Sequence, residues 1–167
     1  MVKPLIHVFE LTSCYNRHIS MKRLVNKKAL FDFEIQDKLE AGIVLTGGEV
    51  KSLKRGRGDM KGSFVQLHND ELWLANMFIP PYEPGQVIPH ESDRNRKLLV
   101  KNAERNHLIG VLKAKGLTIV PISFYTKGGL VKVELGIGRG KRMIDKRKSI
   151  KEREVNREMR RKLRQKN

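Results

Sequence analysis

A strict alternation of apolar and polar residues toward the C-terminal end limits this chain to folds built on half-buried β-strands. In residues 131–137 every odd position is Val, Leu or Ile, with Lys132 and Glu134 between them. A period of two is typical of a strand with one face in the core. Residues 117–125 form a second apolar run, separated from it by Gly128-Gly129, which predicts a β-hairpin.

The region before residue 60 predicts one strand followed by one short helix. Apolar and polar residues alternate over 31–36, and the strand is expected to continue past a bend or bulge at Gly42. Thr46 and Glu49 have the spacing of a capping box, so a helix of two to three turns begins here and ends near Gly56.

The middle of the chain predicts a further hairpin. Apolar residues at 64–67 and 72–74 flank the turn formers Asn69 and Asp70. A loop rich in proline at its start then runs from residue 80 to about residue 96. The elements expected after it are a strand at 97–100 and a helix with Asn102 as its N-cap and Gly116 just past its end.

Several strands, two hairpins and short helices predict a mainly β fold. We expect an OB-fold antiparallel β-barrel with short accessory helices and a basic C-terminal tail, although the pattern also allows a sandwich. The expected organisation is an N-terminal extension at 1–25, disordered, then the barrel at 26–140 and the tail at 141–167. Residues 1–20 have two open interpretations, a genuine extension or a chain that starts at Met21.

Positive charge is concentrated in the tail. The formal net charge is +17, and residues 139–167 alone contribute +10. In this tail Val155, Met159 and Leu163 form only a thin apolar stripe, too narrow to offset the entropy of ordering. The tail is therefore expected to be disordered when free and helical against an anionic surface, the alternative being a solvated charged helix or a plain disordered tail.

Composition argues against several classes of protein. The sequence has no apolar run long enough to cross a membrane, and its one cysteine, Cys14, cannot form an internal disulfide. The five histidines lack metal-ligand spacing, and no nucleophile or acid–base pair is evident, so we expect no metal, no cofactor and no enzyme activity. A cytoplasmic location fits best, while six basic residues and one acidic residue in 1–28 leave organellar import as the alternative.

Basic side chains are frequent in predicted loops and helix ends, where they suit contacts to phosphates. Aromatic residues are few, at 6%, and most lie in alternating strands, which favours recognition of a folded RNA by shape over a stacking platform. The basic groups are Lys51, Lys54, Arg55 and Arg57, then Arg94, Arg96 and Lys97, then Arg139, Lys141, Arg142, Lys146, Arg147 and Lys148.

A series of motifs follows in a fixed order from Asn26 to the C-terminus. The most recognisable is EAGIVLTGGEVKSL at 40–53, preceded by NKKA at 26–29. The others are DRNRKLL at 93–99, KGLTIVP at 115–121, VKVELG at 131–136, GK at 140–141, DKR at 145–147 and IKERE at 150–154. The whole series resembles the small protein B family, the SsrA-binding proteins that partner transfer-messenger RNA.

The resemblance implies an OB-fold protein that binds the tRNA-like domain of transfer-messenger RNA, as a monomer in the complex. It implies delivery of that RNA to stalled ribosomes for trans-translation, with the tail in the decoding region and messenger channel of the small subunit. The implied RNA-binding residues are Asn26, Glu40, Leu99, Lys132, Arg139 and Lys141. The implied ribosome-engaging residues are Gly140, Asp145, Lys146 and Arg147.

The resemblance leaves the roles of three residues, and two other functions, open. Ile144 stands where family members often carry His or Tyr, and it offers no ring for stacking on a ribosomal base. Asn26 and Glu40 have a plainer interpretation, in which each only hydrogen-bonds local backbone. The alternative function is that of a structural basic ribosomal protein, and a small nucleic-acid enzyme is the third hypothesis.

Overall fold

The computed structural model of the protein describes residues 23–82 and 91–165. The described part is mainly antiparallel sheet with short helices, which confirms the predicted class. Its strands are β1 Leu24–Val25, β2 Phe33–Ile43, β3 Phe64–His68, β4 Glu71–Ala75, β5 Arg96–Leu99, β6 Thr118–Lys127 and β7 Leu130–Gly140. Its helices are α1 Lys27–Asp32, α2 Gly47–Lys54, α3 Asn102–Lys113 and α4 Met143–Gln165.

The described strands form one sheet in the order β1-β6-β7-β2-β5-β4-β3, and the sheet is not closed. Strand β3, at one edge of the sheet, packs near β6, but the two strands are not joined by hydrogen-bonded pairing. The predicted OB-like fold is therefore present as an open sheet, with no hydrogen-bonded pairing between β3 and β6. Packing of apolar side chains closes the core on this side without hydrogen bonds between strands.

Two tight turns fix the register of both predicted hairpins. Asn69 and Asp70 have φ of 50° and 57°, and Gly128 and Gly129 have φ of 58° and 79°. Two successive residues with positive φ give the turn whose twist matches that of the flanking strands. As a result His68 pairs with Glu71, and Lys127 pairs with Leu130.

Helix α2 begins as the sequence predicts. Glu49 donates its backbone N–H to Thr46 Oγ1 at 3.4 Å, and Thr46 donates its N–H to Glu49 Oε2 at 2.7 Å. Leu53 on the same helix is fully buried, so the cap holds the helix against the core. The core itself is formed by buried apolar side chains of the strands and of the loops between them, together with Leu53 of α2 and Leu108 of α3.

Several predicted boundaries were wrong. Phe31 lies in α1, because Asn26 caps a helix that delays the strand until Phe33. The bulge in β2 falls between Ile35 and Asp37, away from Gly42. The N-cap of α3 is Lys101, one residue before Asn102.

The boundary predicted between the extension and the sheet domain also moves. Leu24 and Val25 pair with Phe124 and Ser123, so the last residues assigned to the extension belong to the sheet. The earlier part of the extension, residues 1–22, lies outside the described residues. Within the part of the chain that the structure describes, no helix is both long enough and apolar enough to span a membrane.

The tail is a continuous helix, α4, over Met143–Gln165. Met143, Ile144, Ile150, Val155 and Met159 on it are all exposed. This helix agrees with the state predicted for the bound tail. The predicted disorder of the free tail stays a prediction.

Candidate RNA interface

Three of the six predicted RNA-binding residues share the face of the sheet opposite the core. Gly42 pairs with Leu99 of β5 on one side and with Lys132 of β7 on the other, and Lys132 pairs with Tyr125 of β6. Residues directly opposite one another in an antiparallel sheet lie on the same face. We call this the outer face, and Glu40, two residues before Gly42 on β2, also lies on it.

Leu99 and Gly42 shape one end of the outer face. Leu99 is 52% exposed, which is high for a leucine, and its Cβ lies 3.2 Å from the position that a Cβ on residue 42 would occupy. Glycine at position 42 thus lets β2 pass closely beside the leucine side chain. The outer face therefore presents an apolar surface beside the cationic Lys132.

Glu40 is held as a carboxylate on the outer face. It accepts a hydrogen bond from the Tyr125 hydroxyl and one from Lys127 Nζ at 3.0 Å. The hydrogen bond from Tyr125, followed by that from Lys127, lowers the pKa of Glu40 below its ordinary value. Burial first, and then the hydrogen bond to Glu40, raises the pKa of Tyr125 to about 12. At neutral pH the pair is therefore a phenol donating to a charged acceptor.

A second carboxylate, Glu134, lies directly across from Glu40. It accepts hydrogen bonds from Ser123 Oγ at 2.9 Å and from the Arg23 guanidinium. Burial alone would raise the pKa of Glu134, but the bonds from Ser123 and Arg23 outweigh it and lower the pKa. Arg23 also lies 5.5 Å from the centre of the Tyr125 ring, so it ties the two carboxylates into one network.

The other predicted RNA-binding residues lie at the far end of β7, around α1. Asn26 is buried, with 5% of its surface exposed. Its Nδ2 donates to the carbonyls of Met60 and Pro121 at 2.9 and 3.0 Å, and its Oδ1 accepts from the Ala29 N–H at 3.0 Å. This is the plainer interpretation of Asn26: the side chain caps α1 and fixes it to the sheet.

Arg139, Gly140 and Lys141 stand where β7 ends. The Arg139 guanidinium lies beside Gly116, and Gly140 pairs with Phe33. Lys141 donates its Nζ to the carbonyl of Leu30 at 3.3 Å. Gly140, Lys141 and Asn26 line one open cleft of about 640 Å³.

The predicted ribosome-engaging residues Asp145, Lys146 and Arg147 lie in the first two turns of α4. Lys146 also lines the cleft, and its Nζ lies 2.7 Å from Asp32 Oδ1. Asp145 and Arg147 are exposed. The structure thus places the predicted tail motif next to the second group of predicted RNA-binding residues and brings Gly140 and Lys146 together in the cleft.

A family model described as SmpB protein matches residues 23–165 of the chain. The chain belongs to the SmpB family. An SsrA-binding protein of Desulfitobacterium hafniense is 45% identical over 139 residues, which cover 83% of this chain and 89% of the relative. An SsrA-binding protein of Sulfurihydrogenibium sp. is 48% identical over 134 residues, covering 80% and 88%.

A solved structure is also similar to this SmpB-family chain. It comes from a study titled "tmRNA-SmpB: a journey to the center of the bacterial ribosome". The TM-score is 0.63 at 42% sequence identity, and the match covers 77% of this chain and 94% of the other. The two proteins are therefore similar in sequence as well as in fold.

One basic residue that the charge pattern predicts to contact phosphates, Arg96, has a structural role instead. Arg96 is fully buried, and it donates to Glu49 Oε1 at 2.9 Å and to the Met77 carbonyl at 2.6 Å. Arg94 donates to both oxygens of the same carboxylate, at 2.9 and 2.6 Å. Arg96 is therefore corrected from a phosphate contact to a buried ion-pair partner, and most of the Arg94 side chain is engaged in the same way.

The sequence interpretation missed Tyr125 and Arg23. The sequence predicts a strand that ends at Tyr125 but assigns this residue no contact on the outer face. The turn at Gly128-Gly129 contains the information needed to place Tyr125. A two-residue turn puts Lys127 opposite Leu130, and Tyr125 therefore lies opposite Lys132 on the same face. Arg23 had no comparable signal, because its partner Glu134 is 111 residues away.

We expect Tyr125→Phe to weaken binding of transfer-messenger RNA by about threefold to tenfold, the net scale of one lost intramolecular hydrogen bond. The phenol acts through Glu40, so the same change in a Glu40→Gln background should cost nothing further. Filter binding of the purified RNA measures both effects. Tyr82→Phe is the matched control, because the Tyr82 hydroxyl accepts from Arg55, just after α2, at 2.6 Å and away from Glu40. Additive losses would contradict the role given to Tyr125.

Proposed function

We propose that this SmpB-family chain binds the tRNA-like domain of transfer-messenger RNA and delivers it to stalled ribosomes for trans-translation. The observation that carries this proposal is the extent of the family match. It runs over residues 23–165 and so includes both the sheet domain and the basic tail. The relatives that share these parts are SsrA-binding proteins, and the similar solved structure concerns tmRNA, SmpB and the bacterial ribosome.

The outer face supplies three different kinds of contact to the RNA. Lys132 is a cation suited to a phosphate, and Leu99 is an exposed apolar surface suited to a base or a ribose. Glu40 repels phosphates and accepts only from donors such as a base N–H, an exocyclic amine or a 2′-hydroxyl. The carboxylate therefore selects for a particular place on the folded RNA, while the lysine adds affinity.

The cleft between α1 and the end of β7 is the second part of the proposed RNA interface. Lys141 supplies charge in the cleft, Gly140 lines it, and Arg139 adds charge beside it at the end of β7. Asn26 takes part indirectly, because its three side-chain hydrogen bonds hold α1 in place and leave it 5% exposed.

The tail is proposed to act at the ribosome. Residues 139–167 hold 14 basic and 4 acidic residues, so this end of the chain is strongly attracted to RNA. Its exposed residues Asp145 and Arg147, with Lys146, precede a long basic helix that fits a channel walled by ribosomal RNA. We place this helix in the decoding region and messenger channel of the small subunit, where it substitutes for the missing message.

The proposed role is binding and delivery without a catalytic step or a cofactor. Among the residues that the structure describes, no three His, Cys, Asp or Glu side chains form a metal-binding group. The carboxylates of the outer face serve as hydrogen-bond acceptors in ion pairs. The proposed location follows from the ribosomal partner and is the cytoplasm.

The test of the proposed function pairs two measurements on the full chain. Purified protein is expected to retain transfer-messenger RNA when RNA from a cell extract is passed over it, and to support peptide tagging in a reconstituted reaction on ribosomes stalled at the end of a truncated message. A structural ribosomal protein would instead sediment in a one-to-one ratio with idle ribosomes. That outcome, with no tagging, would overturn the proposal.

Binding to the RNA should depend steeply on salt. Each phosphate neutralised is expected to add roughly 0.9 to the negative slope of log affinity against log salt, by analogy with duplex DNA. Replacing Lys132 with Met should lower that slope by about one unit, while Leu99→Ala should weaken binding with the slope unchanged. Titrations at several salt concentrations measure the slope. A nearly flat dependence for the parent protein would contradict an electrostatic interface.

A further inference from the structure

Two carboxylates face each other across neighbouring strands of the outer face. Glu40 of β2 is paired directly with Glu134 of β7. Paired side chains have Cβ atoms about 4.5–5.5 Å apart, and like charges at such positions destabilise a sheet. Burial opposes ionisation of Glu134, but hydrogen-bond donors hold the pKa of both groups below the ordinary value, so both are charged at neutral pH. Each carboxylate therefore needs a compensating cation close by, and for Glu40 this is Lys127 at 3.0 Å.

Glu134 is neutralised by Arg23. The Arg23 guanidinium donates to Glu134 Oε2, and its Nε donates to Ser123 Oγ at 3.0 Å. Ser123 in turn donates its hydroxyl to the same Oε2 at 2.9 Å. A second cation, Lys38, has its Nζ 3.9 Å from Oε1, which is beyond hydrogen-bond distance. Direct neutralisation of the Glu134 carboxylate thus comes from Arg23.

Arg23 reaches this position from the edge of the sheet. It directly precedes β1, whose Val25 pairs with Ser123 of β6. Its guanidinium also lies 5.5 Å from the centre of the Tyr125 ring, a second contact that holds the side chain on the outer face. The Arg23 side chain is 55% exposed, whereas that of Glu134 is 19% exposed. A molecule that approaches the outer face therefore meets the guanidinium before the carboxylate.

We propose that Arg23 is a positioning residue for RNA binding, which covers and neutralises Glu134 and leaves Glu40 as the carboxylate that accepts from the RNA. This inference rests on the proposed function, since it assumes that the outer face binds transfer-messenger RNA. Without Arg23, Glu134 would repel phosphates two residues from Lys132 and would offer the RNA a second acceptor. Arg23 thus acts through Glu134 and does not itself contact a phosphate.

The contact between Arg23 and Glu134 is tested first in the free full chain, without RNA. Carbon-13 NMR of labelled glutamate carboxyl groups gives the pKa of Glu134, whose resonance is assigned with Glu134→Gln. We expect Arg23→Met to raise this pKa, because the carboxylate loses its nearest positive charge. Arg23→Lys keeps the charge and should raise the pKa less. Thermal melting checks that each variant is folded.

The second measurement is filter binding of purified transfer-messenger RNA. We expect Arg23→Met to weaken binding by about threefold to fivefold, the upper scale of a partly exposed ion pair, and Arg23→Lys to weaken it less. In a Glu134→Gln background, Arg23→Met should cost nothing further, because no carboxylate charge is left to neutralise. Lys113→Met is the charge-matched control. It removes one exposed positive charge from the end of α3, a helix that packs Leu108 into the core on the other side of the sheet, and it should bind like the parent protein.

The outcomes separate the contact from the function. An unchanged Glu134 pKa in Arg23→Met overturns the contact. A raised pKa with binding at the parent level overturns Arg23 as a positioning residue. An equal loss of affinity with and without the Glu134 carboxylate overturns it as well, because Arg23 would then contact a phosphate itself. A raised pKa with a loss of affinity that requires Glu134 supports the proposal. If the parent protein does not bind the RNA, the proposed function is wrong, and the titration still decides whether Arg23 neutralises Glu134.

Discussion

Replacing Glu49 with Ala is expected to destabilise the sheet domain by about 3–5 kcal/mol, a large part of the stability of a typical domain. Glu49 and Arg96 are both fully buried, and Nε of Arg96 donates to Oε1 at 2.9 Å. Removal of the carboxylate leaves a guanidinium charge inside the protein without its partner. The loss also breaks the capping box of α2, which Glu49 completes by accepting from Thr46. Urea unfolding followed by circular dichroism measures the change.

Two variants control for this interpretation. Glu71→Ala removes an ion pair with Lys97 at the surface and should cost less than about 1 kcal/mol. Arg94→Ala should cost less than Glu49→Ala, because Arg96 and Glu49 keep each other as partners. A Glu49→Ala protein as stable as Glu71→Ala would show that the buried cluster contributes little.

The contribution of Glu49 to stability should also depend on pH. Burial alone would raise the pKa of Glu49, but bonds from Arg94 and Thr46 and the charge of Arg96 outweigh it, so the folded-state pKa is lowered. The unfolded chain therefore takes up this proton first as the pH falls. The stability due to ionised Glu49 is present above the ordinary glutamate pKa of about 4.3 and is lost as the pH falls through the lower folded value. The difference in the free energy of unfolding between the parent protein and Glu49→Ala should therefore become smaller as the pH falls through that range.

Replacing Asp145, Lys146 and Arg147 together with Ala is expected to abolish peptide tagging on stalled ribosomes while leaving affinity for isolated transfer-messenger RNA nearly normal. The net charge changes by only one unit, since one acidic and two basic residues are lost. A purely electrostatic role therefore predicts a small effect on both quantities. A shaped contact at the ribosome predicts a large effect on tagging alone. The two measurements are RNA binding and tagging in the same preparation.

A matched triple change further along the tail sharpens that test. Glu154, Arg157 and Arg161 are exposed on α4, and replacing these with Ala removes the same charges from the same helix. We expect this variant to tag better than the first. Equal loss in both variants, or a proportional fall of RNA affinity and tagging, would contradict a specific role for the residues at 145–147.

Local sequence determined the elements whose ends are marked by turn or cap residues. Asn69-Asp70 and Gly128-Gly129 adopt positive φ readily, so both hairpins and their registers follow from the chain itself. Thr46 and Glu49 begin α2 in the same way, three residues apart. The concentration of basic residues in the tail also follows from the sequence alone, because the positions of charged residues along the chain do not depend on the fold.

Tertiary structure decided which polar residues are exposed. Arg94 and Arg96 are both basic residues of one predicted loop, yet burial of Glu49 draws Arg96 fully into the interior and leaves Arg94 28% exposed at the edge. Asn26 likewise meets Met60 and Pro121, and those residues lie 34 and 95 positions away. Local periodicity carries no information about such distant partners, so their contacts appear only once the sheet has folded.

Contacts between residues distant in sequence also decide that the sheet is open and how the tail meets α1. A strand pattern specifies which face is buried, but not whether β3 pairs with another edge or merely packs near β6. In the same way, the sequence predicted a basic helix after Gly140 but not the tie between Asp32 and Lys146, 114 residues apart. Short-range backbone preferences determined the hairpins, the caps and the charge pattern, whereas burial and ion pairing between distant residues decided the shape of the RNA-binding surface.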